Sequence, residues 1–111
     1  MSNWKQLGSD DQGDAGQPGS LYTDFQVTIL RSGERYRAEI REAWGSNQGY
    51  LEEHGSNEAR AVAGDLRELR AEALSVISDS FDESVQERLC RALHNAIADA
   101  KEAEADESEV A

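Results

Sequence analysis

Between Asp24 and Ala43 apolar and polar positions alternate, with Phe25, Val27 and Ile29 on one parity and Gln26 and Thr28 on the other. A period of two marks a half-buried strand, because successive side chains leave a pleated backbone on opposite faces. Tyr36, Ala38 and Ile40 alternate with Arg37, Glu39 and Arg41 in the same way. Ser32-Gly33-Glu34 between the two runs is a short turn in which Gly33 can take positive φ. The pair predicts a β-hairpin with an aliphatic and aromatic face and a charged, wet face. Trp44 keeps the parity of Tyr36, Ala38 and Ile40, so it should point the same way and seal the edge of the core. Trp44 to Gly49 reads as a loop and Tyr50-Leu51-Glu52 as a short third strand, before Gly55 and Ser56 break the chain.

From Asn57 the pattern reads with a helical period. Val62, Leu66, Leu69, Ala73 and Val76 recur at spacings of four and three, broadened by Leu74 and Ile77. This spacing predicts a first helix starting near Asn57 or Glu58, capped by Ser56 or Asn57, with Gly64 a mild fault inside it. Ser78 to Asp82 breaks the stripe, and two overlapping capping boxes follow, Ser80 with Glu83 and Ser84 with Glu87. The second helix carries Phe81 or Val85, Leu89, Leu93, Ala96, Ile97 and Ala100 on its stripe, with Glu87 and Arg91 as a surface pair. The expected architecture is α+β: a small antiparallel β-hairpin or three-stranded sheet packed against two antiparallel helices over residues 21–101.

The two ends read differently. Residues 1–20 hold Gly8, Gly13, Gly16, Gly19 and Pro18 together with Asp10, Asp11 and Asp14, which predicts a flexible arm in which Trp4 is an incidental aromatic, with a docking anchor as the alternative. Residues 102–111 carry Glu102, Glu104, Asp106, Glu107 and Glu109. Successive acids near a helix C-terminus repel one another and oppose the dipole, so the second helix should fray after Lys101 into a disordered acidic tail. The formal net charge of -12 arises from 23 acids and 11 bases. It argues against direct binding of nucleic acid or of an anionic membrane, both of which are held through Lys and Arg. It is compatible with a basic protein partner. A folded part of this size buries a small core, so completion by a partner or by a second copy in a homo-oligomer is expected.

Few side chains of the sequence are chemically reactive. Cys90 is the only cysteine, which excludes an internal disulfide and suits a reducing compartment. No apolar run is long enough to span a bilayer and the N-terminus has no signal-peptide pattern, so a cytoplasmic location is expected. Cys90 and His94 lie one helical turn apart, a spacing able to grip a metal. With His54 the only other histidine and in a loop, two ligands make no zinc site. As a thiol-imidazole pair they lack an orienting group and an oxyanion site, so Cys90 reads as a small hydrophobe beside the core. Asp10, Asp11 and Asp14, and separately Asp79, Asp82 and Glu83, lack the register of a calcium loop. No catalytic residue, cofactor or metal is expected.

Four short runs and one glycine resemble a known family. Asp24-Phe25-Gln26-Val27-Thr28-Ile29, Gly33 and Tyr36-Arg37-Ala38, followed by Phe81-Asp82-Glu83-Ser84-Val85 and Leu89-Cys90-Arg91-Ala92-Leu93, are similar to the N-terminal region that precedes the caspase-like protease domain of bacterial CHAT proteins. The resemblance covers residues 24–97. The chain departs from the pattern at Ala43-Trp44-Gly45-Ser46, where the family would place a proline near a glycine, and no protease segment is expected after Ala111. No catalytic residue is therefore carried over. The resemblance implies a non-catalytic module that docks onto a larger effector in bacterial signalling or defence. The expected function is thus protein-protein interaction, as an adaptor or regulatory subunit, with Trp44, Tyr50 and Tyr36 as partner-binding side chains. The alternative is an acidic inhibitor or antitoxin-like protein that mimics nucleic acid in a basic groove.

Overall fold

Alternation pins the two central strands. β2 (Leu21–Ser32) and β3 (Arg35–Asn47) pair antiparallel in unbroken register from Leu21↔Ser46 to Ser32↔Arg35, around a turn in which Gly33 has a φ of 61°. The computed structural model describes residues 3–14 and 16–110, the side chains of 108–110 excepted. Met1, Ser2 and Ala15 of the expected arm lie outside the described residues, as do Ala111 and the Glu109 side chain of the expected tail. Two further strands, β1 (Lys5–Asp11) and β4 (Leu51–Ala63), complete a four-stranded antiparallel sheet in the order β1-β2-β3-β4. Helices α1 (Leu66–Ser80) and α2 (Glu83–Val110) cover one face of it. The class is α+β, with four strands where the sequence pattern predicts two or three.

The largest correction concerns residues 57–63, which are strand and not helix. Ala59, Ala61 and Ala63 stand opposite Ile40, Ala38 and Tyr36 and face the helices, while Val62 lies on the other face, 38% exposed. A row of alanines satisfies either period, and the four-three spacing from Val62 to Leu66 and Leu69 runs across a real boundary. Gly64 ends the strand, and Asp65 caps α1: its carboxylate accepts the Glu68 amide at 2.7 Å, satisfying an otherwise orphaned helix N–H. Phe81, in extended conformation at the other end of α1, donates its amide to the Ile77 carbonyl and buries its ring.

The second correction concerns the chain ends. Residues 5–11, expected in an arm, pair with β2 from Lys5↔Arg31 to Asp11↔Gln26, and a bulge between Gln6 and Gly8 carries Leu7 into the core. Gly8 makes this docking possible. A Cβ there would stand 2.5 Å from the Ala96 carbonyl oxygen and 2.7 Å from Asp99 Cβ, so α2 rests directly on the strand. Ala92, Ala96 and Ala100 supply the matching small face on the helix. Residues 102–110, expected as a disordered tail, continue α2. Their acids find cations on the sheet: Glu107 pairs with Lys5, and Glu104 accepts from both Arg31 and the Tyr36 hydroxyl, the latter at 2.6 Å. These bonds offset the repulsion that the sequence displays.

One core results. Val27, Ile29, Ile40, Leu69, Ile77, Leu89 and Leu93 are its largest fully buried side chains, each contributing roughly 1.5–3 kcal/mol on leaving water.

Candidate functional site

The two layers are offset along the strands. The helical layer ends at the turn between α1 and α2, where Asn57 Nδ2 donates to the Ser80 carbonyl at 3.2 Å and the Arg88 guanidinium sits 5.5 Å over the Phe25 ring. Glu42 faces Asp82 across the same level, and burial followed by that charge pushes its carboxyl pKa up. Beyond it the sheet runs on through Leu21 to Asp24, Ala43 to Asn47 and Leu51 to Ser56. Among the described residues, four of the six exposed large apolar side chains belong to this projecting end: Leu21, Trp44, Tyr50 and Leu51. The other two, Val62 and Leu74, are isolated from it.

Local geometry places these side chains. Trp44 keeps the face of Ile40, as its parity predicts, but past the end of the helices it remains 42% exposed. Its ring lies over Gly55, where a Cβ would meet Cζ2 at 2.7 Å, so glycine there provides the seat for the indole. A register shift between Trp44 and Gly45 lets the strands bend. On the opposite face Tyr22 is buried against Gly45, at which a Cβ would meet its Cε1 at 2.7 Å. Tyr50, 64% exposed, stands at the β3–β4 turn beside Gly49, whose φ is 91°. Tyr36 lies elsewhere. It is buried at the far end of β3 and bonded to Glu104, so it belongs to the core and not to an exposed docking surface.

A cavity of about 440 Å³ opens on the helix-free face of the same end, lined by Asp11, Asp24, Tyr22, Ala43, Leu51 and Glu53 among others. Here Asp24 is pushed up to about 6, first by its hydrogen bond with Asp11, then by burial and by the Asp11 charge, with Arg41 opposing. Gly13 closes over the pair: its amide donates to Asp11 Oδ1 at 2.7 Å, and a Cβ on it would stand 2.5 Å from Asp24 Oδ1. Arg41 is itself held by Glu53 and, at 3.1 Å, by Glu58, which raises its pKa. The arrangement can store a proton between two carboxyls.

No family model, curated protein or solved structure matches this chain.

The remaining sequence candidates are dispersed. Cys90 is half-buried in α2, where burial pushes its thiol pKa up and away from thiolate reactivity. His94 lies with Arg70, Ile97, Ala98 and Lys101 around a shallow cavity of about 80 Å³, whereas His54 sits 3.2 Å from the Ser46 hydroxyl at the projecting end. Among the described residues no group of three or more His, Cys, Asp or Glu side chains is disposed to hold a metal ion. No described helix is long and apolar enough to cross a membrane. Trp4, expected as an incidental aromatic of the arm, packs its ring 4.4 Å from the Arg37 guanidinium. Two features escaped the sequence reading, the Asp11–Asp24 pair and the Trp4–Arg37 stack. Both depend on β1, whose polar composition gives no strand signal.

Proposed function

We propose that the protein is a non-catalytic protein-protein interaction module, an adaptor or regulatory subunit that docks onto a larger protein through the projecting end of its sheet. The observation that carries this reading is the concentration of Leu21, Trp44, Tyr50 and Leu51 at the one place where strands extend past the helical layer. Large aromatic side chains that are exposed yet rigidly seated make effective interface anchors, because little rotamer freedom is lost when they are covered. The indole on Gly55 has that character. The resemblance of residues 24–97 to the region preceding the protease domain of CHAT proteins supports a role beside a larger effector in bacterial signalling or defence.

The test is to isolate what co-purifies with the native protein and to measure its affinity for Trp44→Ala and Tyr50→Ala variants. Each truncation should weaken the complex by at least about tenfold, the scale of an interface anchor. Thermal stability should change little at Tyr50. An undiminished complex would remove both residues from the interface. The acidic-mimic alternative makes a different demand: binding that collapses with salt and depends on the free acids Glu102 and Asp106. It is weakened by the engagement of Glu104 and Glu107 with Arg31 and Lys5.

A further inference from the structure

The two edges of the sheet are not equally protected. β1 is short and bulged between Gln6 and Gly8, it carries Lys5, Asp10 and Asp11, and the chain after it folds back through an Asp14↔Thr23 bridge. These are the devices by which natural sheets prevent further pairing. Along its regular portion β4 is neither short nor bulged nor covered by a returning chain, and its two charges, Glu58 and Arg60, are of opposite sign. Its register with β3 is uninterrupted from Gly55 to Ala63, bounded by the irregularity at His54 and by Gly64, and no described strand pairs with its outer side. This segment contains no lysine and no proline, and its residues facing the helices are Gly55, Asn57, Ala59, Ala61 and Ala63.

An antiparallel copy of this segment fits it in one register above others. For two sheets to continue with their helices on the same side, paired residues must share a face, so the two-fold axis passes through a residue. Full overlap of the regular stretch from Gly55 to Ala63 puts that axis at its midpoint, Ala59. The register then sets Glu58 opposite Arg60 of the second copy, and Arg60 opposite its Glu58, both pairs on the helix-free face. Asn57 faces Ala61, Ser56 faces Val62 and Gly55 faces Ala63. Within one chain Arg60 has no ion-pair partner among the described residues, and Glu58, bound to Arg41 at 3.1 Å, keeps a side chain 66% exposed. The charges available on the edge are thus self-complementary in the register that its length selects.

We infer that β4 is a homodimerisation edge: two copies join β4 to β4 antiparallel about Ala59, forming a continuous eight-stranded sheet secured by reciprocal Glu58–Arg60 pairs. A second copy is favoured over a foreign strand because the alternating charges match themselves in that register. The edge is centred on Ala59 and meets the projecting end that carries the docking proposal only at Gly55 and Ser56, and each proposal can fail alone.

Charge reversal tests this with an internal control for folding. Light scattering should give a dimer for the native chain at high micromolar concentration. Glu58→Arg and Arg60→Glu each place like charges opposite one another at two symmetric sites, and each should raise the dissociation constant roughly tenfold. Mixing the two variants restores opposite charges at both sites, since one chain then presents two arginines and the other two glutamates. The mixture should therefore form a one-to-one heterodimer at a concentration where neither variant self-associates. A native chain that stays monomeric overturns the proposal and leaves the edge to a foreign extended segment. A dimer indifferent to both reversals, or a mixture that fails to associate, overturns it equally.

Discussion

Asp24 shows how a residue acquires behaviour from its neighbours. Its raised pKa, from 3.8 to about 6, means that the folded protein binds a proton more tightly there than the unfolded chain does. The contribution to stability is therefore fully present below about 3.8 and is lost as pH rises through about 6. At neutral pH the pair is left as two facing carboxylates with Arg41 as the nearby cation. Asp24→Asn keeps a hydrogen-bond partner for Asp11 without the charge, so it should raise the melting temperature at pH 7 to 8 and flatten its rise toward pH 5. Melting curves across that range decide the matter; an unchanged pH profile would mean that the two carboxyls do not share a proton. Nothing in the sequence around Asp24 announces this, because Asp11 comes near it only through the β1–β2 ladder.

At the scale of elements, legibility follows the strength of the local signal. β2 and β3 are plain in the sequence between Asp24 and Ala43, where β-branched, aliphatic and aromatic residues alternate with polar and charged ones. Trp44 to Asn47, expected in a loop, instead continue β3, because their pairing with β2 and β4 outweighs the local Gly45-Ser46-Asn47 turn signal. α2 is plain up to Lys101 because its leucine and alanine stripe is unbroken. β4 is hidden by alanines that suit strand and helix alike, though Asp65 followed by Glu68 marks the true start of α1. β1 is hidden because it buries a single large side chain, Leu7, and its close approach to α2 rests on the absence of a side chain at Gly8. That absence can be tested. Gly8→Val should destabilise by at least about 2 kcal/mol, the scale of an overpacked core, and lower the melting temperature by roughly 8–16 °C. Gly64→Ala is the counterpart: a Cβ there meets only Glu68 Oε2 at 3.9 Å, and a stiffer unfolded chain should make the variant neutral to about 1 kcal/mol more stable. Equal effects at the two glycines would contradict the close approach of α2 to β1. The last turns of α2 are illegible for a related reason, since Lys5, Arg31 and Tyr36, which hold Glu104 and Glu107, are remote in sequence.

For the whole molecule, the offset of the two layers produces an elongated body of 50 × 31 × 28 Å. One end is sheet without helix. Of the site residues read from the sequence, Trp44 and Tyr50 come to this end because strand parity and a turn glycine place them, whereas Tyr36 does not, because its hydroxyl finds Glu104 across the core. The seam between β1 and α2 also sets an order of events in time. Asp10 and Asn95, joined by a hydrogen bond of 3.0 Å, stand 85 positions apart. While the chain is being synthesised, β2, β3, β4 and α1 can assemble from near neighbours, but the outer side of β2 must wait for α2 to emerge before β1 is clamped between them. Closing so long a loop late is slow relative to local pairing. In refolding followed by pulsed hydrogen exchange, amides of β3 and β4 should gain protection before those of β1, and α2 should gain it together with β1. A nascent chain halted before α2 would carry half a core open to water, which makes this span of synthesis the period in which the protein is most exposed to aggregation and to chaperones.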